Sequence, residues 1–262
     1  MCEKLYASSA GRMAARLIAS PFVSRLAGKF MDSRLSRLLI PGFIKKNSID
    51  LSVCQKTEFD SFNDFFTRRL KPGERPVCPE KTALASPCDG LLSVFPIEKG
   101  SVFTVKGHAY TVGELTGDTG LSNEFEGGRC LIFRLTPAHY HRYIWPCDGK
   151  ILVSKRIRGI FHTVRPGALE RVEVFKTNTR EYALCESDML GRFVLMEVGA
   201  ALVGKIVNES QTGAFKKGEE KGHFEFGGST VILLLKKDSA SILSELDTPH
   251  EKEVLSGSRI NA

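Results

Sequence analysis

The sequence predicts an α+β protein in which a mainly antiparallel β domain follows N-terminal amphipathic helices. Two observations carry this prediction. Residues 1–46 place Leu, Ile, Phe and Val between Arg and Lys at roughly helical spacing. From about residue 81 onward, short β-branched and apolar runs recur between Gly, Pro and Asp. That pattern is typical of antiparallel strands joined by turns.

Length and composition restrict the class of protein. A chain of 262 residues can bury a sizeable core, as one large domain or two small ones. Its seven cysteines are odd in number and form no CxxC pair, which favours free thiols in a reducing compartment over a disulfide scaffold or a zinc site. No apolar run approaches the roughly 18 to 20 residues that span a bilayer. Arg12, Arg16 and Arg25 interrupt what would otherwise be a secretory signal.

The net charge of +7 lies in the N-terminal segment. Residues 1–46 hold nine basic and two acidic residues, whereas the basic and acidic residues of the remaining chain balance. A basic amphipathic helix pair indicates a membrane-surface segment, and an ordinary surface helix packed on its own domain is the alternative. No aromatic-rich basic motif accompanies the charge, so we expect no nucleic-acid partner.

The remaining elements follow from local pattern. Residues 57–77 predict a short helix that ends at a Pro-Gly turn, with four phenylalanines (59, 62, 65 and 66) on one face for core packing. The predicted strands are LLSVFPI, SVFTV, CLIFRL, KILVSKRI, RVEVF, RFVLMEV, ALVGKIV and STVILLL. The polar C-terminal stretch of about 25 residues is expected to lie at the surface or fray. SPCDGLLS at 86–93 recurs as WPCDGKIL at 145–152, which predicts two similar hairpin units in one sheet.

Several polar residues are candidates for chemistry. Asp-Gly is a favoured turn dipeptide, and this explains Asp148 fully, whereas Asp89 remains a candidate. In LTPAHYHRYIWP, His139 and His141 form a His-x-His pair, but no third ligand is suggested, so we expect no metal site. Each histidine is either structural or a general base that meets a hydroxyl and a carboxylate in space.

The stretch HFEFGGSTVILLL at 223–235 has two interpretations. Its glycines either form a turn or bulge that leads into a core strand, or they allow Ser229 to attack the carbonyl of Gly228. Glycine has no Cβ, so a strained turn and a close approach of the hydroxyl are both possible there. The local pattern alone leaves both interpretations open.

One family carries all of these motifs in the same order. The set FFTRRLKPGERPV, SPCDG, HYHRY, VFKTNTRE, EVGAALVGKIV and FEFGGST, spread over about residues 57 to 236, resembles the phosphatidylserine decarboxylase family. The resemblance implies that the chain decarboxylates phosphatidylserine to phosphatidylethanolamine. It also implies self-cleavage between Gly228 and Ser229, in which Ser229 becomes a covalent pyruvoyl group that forms a Schiff base with the substrate. Asp89 matches the family's aspartate, and His141 matches the histidine of its Tyr-His-Arg element.

The resemblance also implies an organisation. Residues 1–46 become a membrane-association segment, and residues 47–262 become the catalytic domain. After cleavage, the catalytic domain divides into a chain that ends at residue 228 and a chain of residues 229–262. The expected partners are phosphatidylserine, an anionic membrane surface and, within a heterodimer, the two cleavage chains themselves. The expected location is peripheral, on the cytoplasmic side of the cell membrane.

Two departures from the family pattern affect these expectations. Gly227 replaces the leucine of the family's Leu-Gly-Ser-Thr element, which is expected only to loosen the turn. Ile144 stands where many members carry a second histidine that pairs with the aspartate for self-cleavage. Either His141 performs both tasks, or His139 or another histidine helps. Two other functions are alternatives: the same chemistry on a soluble amino acid, and a non-catalytic carrier module, although the chain lacks the lysine-tipped turn of such carriers.

Overall fold

The computed structural model describes residues 20–164, 166–200, 205–227, 229–240 and 250–261. Residues 1–19 of the basic segment and Gly228 lie outside the described residues. Within the described part the protein is mostly antiparallel sheet with an N-terminal helical region, which confirms the predicted α+β class. The predicted boundary at residue 46 stays a prediction.

The N-terminal region contains helices α1 (Pro21–Asp32), α2 (Ile40–Asn47) and α3 (Phe62–Phe66), with a 3-10 helix at Arg34–Leu39 between the first two. Ser20 begins α1 because its side chain accepts a hydrogen bond from the backbone of Val23, and proline follows at the first helical position. Among the described helices, none has the length and apolar character that crossing a membrane requires.

Strands dominate the rest of the chain. In order, the elements are β1 (Gly90–Pro96), β2 (Val102–Val105), β3 (His108–Thr111), α4 (Val112–Thr116), β4 (Arg129–Leu135), β5 (Arg142–Ile144), β6 (Gly149–Ile157), α5 (Pro166–Leu169), α6 (Val174–Thr177), β7 (Arg180–Ser187), β8 (Gly191–Gly199), β9 (Ile206–Asn208), β10 (Gly213–Phe215), β11 (Glu220–Phe224), β12 (Ser229–Leu235), α7 (Lys237–Ala240) and β13 (Lys252–Val254). Two further 3-10 helices lie at Lys99–Ser101 and Thr119–Phe125.

Eight of these strands form one antiparallel sheet in the order β10-β6-β7-β8-β12-β4-β1-β13. A three-stranded sheet, β5-β11-β9, and the hairpin β2-β3 complete the described β structure. Strand β12 lies in the middle of the large sheet, between β8 and β4, and every one of its residues is buried. Its sequence STVILLL is apolar on both faces because both faces are covered.

The two faces of the large sheet pack against separate cores. Val231 and Leu233 point to one face, in a core that includes Tyr143 and Phe224 of the small sheet. Ile232 and Leu234 point to the opposite face, in a core that includes Phe103 and Phe125. By alternation along the strand, Ser229 shares the face of Val231, so its side chain points toward the small sheet.

The repeated Pro-Cys-Asp-Gly segments form equivalent units, as predicted. Gly90 begins β1 and Gly149 begins β6, and both strands belong to the eight-stranded sheet. Each of these strands pairs on its outer side with a short edge strand, β13 for β1 and β10 for β6. In each unit the backbone N–H two residues after that edge strand donates to the aspartate, from Ser256 to Asp89 and from Lys217 to Asp148.

The predicted phenylalanine face packs as a third core. Phe59, Phe62, Phe65 and Phe66 are buried against apolar residues of α1 and α2, and against Phe226 close to Ser229. The predicted helix is shorter than expected, at five residues. This third core therefore joins the N-terminal helices to the chain that leads into β12.

One local prediction is wrong, and of the two alternatives for the C-terminal stretch, a surface position and fraying, the described part shows the surface position. RVEVF is not a strand, because its end forms the helical turn α6, with Val174 and Phe175 buried in the first core. Nor does the described part of the C-terminus, residues 250–261, fray. Strand β13 pairs with β1, and Ile260 is buried in the core beside it. Polar composition concealed these contacts because β13 pairs through its backbone.

Candidate active site

Ser229 is the first residue of β12, and the strands on either side fix its position. It lies opposite Gly199 of β8 and Leu135 of β4. Its side chain is fully buried, and its Oγ has no hydrogen-bond partner among the residues that the structure describes. A buried hydroxyl without a partner is rare in folded proteins and costs about 1–3 kcal/mol. An unpartnered, buried nucleophile is what a self-attacking serine requires.

His141 lies in the segment between β4 and β5 and is also fully buried. Its Nδ1 bonds the carbonyl oxygen of His139 at 2.9 Å, so Nδ1 must carry the proton of the neutral ring. Nε2 then has a free lone pair, and none of the described residues forms a hydrogen bond with it. Burial holds the pKa of His141 well below its ordinary value, with a further contribution from the Arg68 charge. The ring is therefore a neutral base at physiological pH.

Backbone contacts place His141 near the chain that precedes Ser229. Its carbonyl oxygen accepts a hydrogen bond from the backbone N–H of Phe224, at the end of β11. Its ring packs on Phe66, with 4.0 Å between ring centroids, and Phe66 also contacts Phe226 at 5.3 Å. His141 and the turn before Ser229 thus share one aromatic neighbour.

Asp89 is buried immediately before β1 and is fully bonded. Arg75 donates to both carboxylate oxygens, from Nε at 2.8 Å and from Nη2 at 2.7 Å. The backbone N–H of Ser256 donates to Oδ1 at 2.9 Å. Arg134 of β4 pairs with both Leu91 and Thr230, so Asp89 and Ser229 lie at the same end of the sheet, two strands or about 10 Å apart.

No hydrogen bond joins Asp89 to His141 in the described part of the chain, since Arg75 and Ser256 take the carboxylate oxygens. Of the two histidines, His139 is the one whose pKa the Asp89 charge affects. Burial lowers the pKa of His139, and the Asp89 charge opposes that effect more strongly than any other group. His139 Nδ1 accepts from the backbone N–H of Thr136 at 3.0 Å, so Nε2 carries the proton. The structure thus brings Asp89 toward His139, and orients His141 through a backbone carbonyl.

The turn before Ser229 is held from the N-terminal region. Asn63 of α3 accepts a hydrogen bond from the backbone N–H of Phe226 at 2.9 Å and donates to Asp32 of α1 at 2.7 Å. Gly227 has a φ of 143°, a conformation that residues with a side chain rarely adopt. Glycine is therefore required at 227 by the observed backbone, whereas the sequence alone suggested only a looser turn.

A buried ion pair lies on the same face of the sheet. Glu197 of β8 is opposite Val231, two residues from the partner of Ser229, and its carboxylate bonds the Lys221 ammonium at 2.8 Å. Asn208 also donates to Glu197 and accepts from Lys221. This pair is not predictable from the sequence, because a charged residue inside the apolar run RFVLMEV gives no indication of its partner.

Sequence analysis also assigned no role to Arg68, Arg75 or Ser256. Arg68 and Arg75 both lie in the quoted motif FFTRRLKPGERPV, which was the available signal.

One group of side chains could be considered for a metal ion: Glu209, Glu220 and His223 bring donor atoms within 4.8 Å of one another. Glu220 already binds the guanidinium groups of Arg69 and Arg142, and these two positive charges oppose a cation there.

The depressed histidine pKa values predict a specific pH dependence of stability. Burial is the main cause for His139, His141 and His223, and it lowers the pKa of His223 to about 4. Below pH 6.5 the unfolded chain binds protons that the folded protein does not, so the free energy of unfolding should fall as pH falls. For fully buried His141 the limiting slope is about 1.4 kcal/mol per pH unit.

Denaturant unfolding of uncut Ser229→Ala protein between pH 6.5 and 5.5 measures this slope. His141→Gln in the same background should flatten it. An unchanged slope in that variant would contradict a neutral, buried His141.

Comparisons with known proteins identify the family of this chain. The family model described as phosphatidylserine decarboxylase matches residues 62–262. A phosphatidylserine decarboxylase proenzyme of Clostridium perfringens is 44% identical over 247 residues, covering 92% of this chain and 84% of the relative. Proenzyme 2 of Clostridium acetobutylicum is 44% identical over 234 residues, covering 89% and 80%. A proenzyme of Ruminiclostridium cellulolyticum is 38% identical over 270 residues, covering 99% and 90%. The chain belongs to the phosphatidylserine decarboxylase family.

Proposed function

We propose that this chain decarboxylates phosphatidylserine to phosphatidylethanolamine, using a pyruvoyl group that it makes from Ser229 by self-cleavage. The observation that carries the proposal is the pair of fully buried, unpartnered atoms, Ser229 Oγ and His141 Nε2, at the end of the sheet where Asp89 also lies. Family membership and the names of the relatives, which are proenzymes of phosphatidylserine decarboxylase, support the substrate and the processing.

Cleavage begins when Ser229 Oγ attacks the carbonyl carbon of Gly228 and His141 Nε2 accepts the hydroxyl proton. The bond between the Gly228 carbonyl carbon and the Ser229 nitrogen then breaks, the nitrogen takes the proton back from His141, and the peptide becomes an ester between residues 228 and 229. Loss of the Cα proton of residue 229 then breaks its Cβ–Oγ bond, and the chain that ends at Gly228 leaves as a carboxylate. Hydrolysis of the remaining enamine releases ammonia and gives the pyruvoyl group. The positive φ of Gly227 fits this chemistry, because it holds the turn in an unusual conformation.

The residues present fit a pyruvoyl group at position 229. Such a group supplies a ketone for the substrate amine and a conjugated carbonyl that accepts the electrons left behind by carbon dioxide. Once the group has formed, burial of this position would keep bulk water away from the decarboxylation. We assign the proton transfers to the two histidines, His141 with its free Nε2 and His139 with its Asp89 neighbour. In this assignment, His139 and His141 share the tasks for which many family members carry a second histidine at the position of Ile144.

The two cleavage chains are expected to stay together as a heterodimer. The short chain would begin with β12, which pairs along its full length with β8 and β4 of the long chain. Seven buried residues of β12 and the pairing of β13 with β1 hold it in the sheet. Separating them would expose both faces of a central strand.

The N-terminal helices support attachment to an anionic membrane. Six of the nine exposed large apolar side chains in the described residues lie between 22 and 39, and Leu38 is 82% exposed. Basic residues accompany them in α1, in the 3-10 helix at Arg34–Leu39 and in α2, among them Lys29, Arg34, Arg37, Lys45 and Lys46. Apolar side chains that enter the lipid interface give peripheral binding. Each nearby Lys or Arg adds about 1 kcal/mol of electrostatic attraction to an anionic surface.

Replacing Phe22, Leu26 and Leu38 by Ser should weaken binding to vesicles that contain phosphatidylserine by at least about tenfold, while self-cleavage continues. Vesicle sedimentation at low and high salt measures binding, and a denaturing gel measures cleavage. These substitutions are preferable to removing residues 1–46, because Met31, Phe43 and Ile44 pack on the third core, and Asp32 bonds Asn63.

The matched control is Leu152→Ser with Val153→Ser, which alters two exposed apolar residues of β6. Vesicle binding of this control should equal that of the wild type. Equal binding by the helix variant would contradict the membrane role.

The proposed function is tested by supplying purified protein with phosphatidylserine vesicles and measuring phosphatidylethanolamine. Activity should be the same with and without added pyridoxal phosphate, since the electron sink belongs to the chain. Turnover of free serine at the rate of phosphatidylserine would favour a soluble amino-acid substrate instead. An intact, inactive chain would favour the carrier alternative.

A further inference from the structure

Arg68 is a buried cation whose donors are mostly unused. It follows α3, is 5% exposed, and lies over the ring of Phe65 at 5.3 Å from the ring centroid. Within the described part of the chain, its Nε and Nη1 have no hydrogen-bond partner. Nη2 makes only two long contacts, at 3.4 Å, with the carbonyl oxygens of Ala138 and His139. One N–H on Nε and two on Nη1 therefore remain unsatisfied.

The groups around Arg68 do not neutralise it. Burial lowers the pKa of Arg68 and the Asp89 charge opposes that effect, but the Asp89 oxygens are bonded to Arg75 and to the Ser256 backbone. Cys54 lies beside the guanidinium, and burial raises the pKa of its thiol, which therefore stays neutral and accepts hydrogen bonds weakly. His141 is neutral for the reason given above. Arg68, Arg75 and Asp89 together leave one positive charge uncompensated.

A buried, unpaired guanidinium is costly. Leaving such a charge without a partner destabilises a protein by several kcal/mol, and buried polar groups are normally satisfied. Arginine also remains protonated when buried, so it cannot avoid the cost by losing its proton. A site of this kind is suited to an anion that arrives with the substrate.

We propose that Arg68 binds the phosphodiester group of phosphatidylserine, an assignment that rests on the proposed function. Position supports this choice. The Arg68 charge contributes to the lowered pKa of His141, which lies beside the proposed reaction centre. Its guanidinium also lies over the ring of Phe65 in the third core. That core leads to the exposed apolar helices. The order of reacting group, cation and apolar path matches the order of serine, phosphate and acyl chains in the lipid.

The chemistry favours the phosphodiester over the substrate carboxylate. The carboxylate leaves as carbon dioxide, so a cation bound to it would stabilise the ground state more than the transition state and slow the reaction. The phosphodiester keeps its charge throughout. Binding it lowers KM and holds the serine moiety in place without opposing the loss of carbon dioxide.

Three soluble amines separate the two anionic groups. Glycerophosphoserine carries both, glycerophosphoethanolamine carries only the phosphodiester, and serine carries only the carboxylate. Each is mixed with self-cleaved protein and borohydride, and the mass of the short chain reports the amine joined to it. Arg68→Gln should reduce trapping of both phosphodiesters by roughly tenfold or more and leave serine unchanged. Arg69→Gln is the matched control, because Arg69 is half-exposed and paired with Glu220.

If Arg68→Gln reduces trapping of serine and glycerophosphoserine but not of glycerophosphoethanolamine, Arg68 binds the carboxylate and the proposal is wrong. Equal trapping by Arg68→Gln and wild type would also overturn it while leaving the proposed function intact. A wild-type protein that stays uncut and traps no amine would refute the proposed function, and this assignment with it. If Arg68→Gln alone stays uncut, Arg68 serves the cleavage turn and the proposal is wrong.

A second measurement needs no pyruvoyl group. In uncut Ser229→Ala protein, glycerophosphoethanolamine should raise the Tm, because it supplies the missing anion. Arg68→Met in that background should abolish the ligand-induced rise while leaving the unliganded Tm equal or higher, since an uncompensated charge is removed and packing on Phe65 is kept. A lower unliganded Tm, or a ligand response that survives Arg68→Met, would indicate a structural role and contradict the proposal.

Discussion

Ser229→Ala is expected to leave one intact chain of 262 residues, whereas the wild-type protein becomes chains of residues 1–228 and 229–262. Alanine fills the same buried position at the start of β12 but has no hydroxyl to attack Gly228. Because Ser229 Oγ has no hydrogen-bond partner, removing it breaks no contact, and the variant should fold with unchanged or slightly increased stability. Intact mass measures the cleavage, which should fall from complete to undetectable.

Thr230→Ala is the matched control for this result. Thr230 is the next residue of β12, its Oγ1 is also buried without a hydrogen-bond partner, and it faces the opposite core. It should cleave as the wild type does. Cleavage of Ser229→Ala would show that the Ser229 hydroxyl is not the nucleophile, and loss of cleavage in Thr230→Ala as well would contradict an effect specific to Ser229.

The proposed pyruvoyl group can be tested on the short chain from the same experiment. The 34-residue chain should resist Edman sequencing, because residue 229 has lost its amino group. A short chain that begins with sequenceable serine in fully active enzyme would exclude the proposed chemistry. That outcome is independent of where the chain is cut.

The fold class was predictable because its signals are local. The alternation and apolar runs of β1, β4, β6, β8 and β12 occur within single segments, and the Asp-Gly dipeptides mark the turns before β1 and β6. The phenylalanine face of residues 59–66 is likewise a local pattern. RVEVF failed as a strand because a short apolar run carries no information on whether neighbouring strands are available to pair with it.

The candidate site was predictable only as a set of residues. Sequence indicated Asp89, His141 and Ser229, but their connections depend on contacts across long stretches of chain. Arg75 bonds Asp89 from 14 residues away, and the Ser256 backbone reaches it from 167 residues away. Ser256 lies in a stretch whose polar composition suggested fraying. Similarly, the tautomer of His141 depends on the His139 carbonyl, which no residue type specifies.

These connections change what Asp89 is expected to do. A carboxylate that touched His141 would orient the base directly, as in a serine protease triad. Here the carboxylate is bonded to Arg75 and Ser256, and its charge acts on His139 and Arg68. Asp89 therefore has an electrostatic effect on the site and also ties the C-terminal segment to β1. Any substitution at Asp89 changes both, so a useful experiment must separate them.

Asp89→Asn is expected to reduce the rate of self-cleavage by at least about a hundredfold, because the site loses the negative charge that supports a protonated histidine. It should also destabilise the fold by about 3 kcal/mol, since Arg75 loses its partner in a largely buried ion pair. Asp148→Asn, in the equivalent turn before β6, is the matched control. Its carboxylate is exposed, so cleavage should be unchanged and the free energy of unfolding should fall by less than about 1 kcal/mol.

The double variant Asp89→Leu with Arg75→Met separates the two roles of Asp89. Removing both charges together avoids an unpaired guanidinium, so the free energy of unfolding, measured in a Ser229→Ala background, should recover most of the loss. Cleavage, measured with Ser229 present, should not recover, because the charge beside His139 is still absent. If the double variant instead cleaves at the wild-type rate, Asp89 serves only to hold Arg75 and the C-terminal segment, and the base for Ser229 works without a carboxylate.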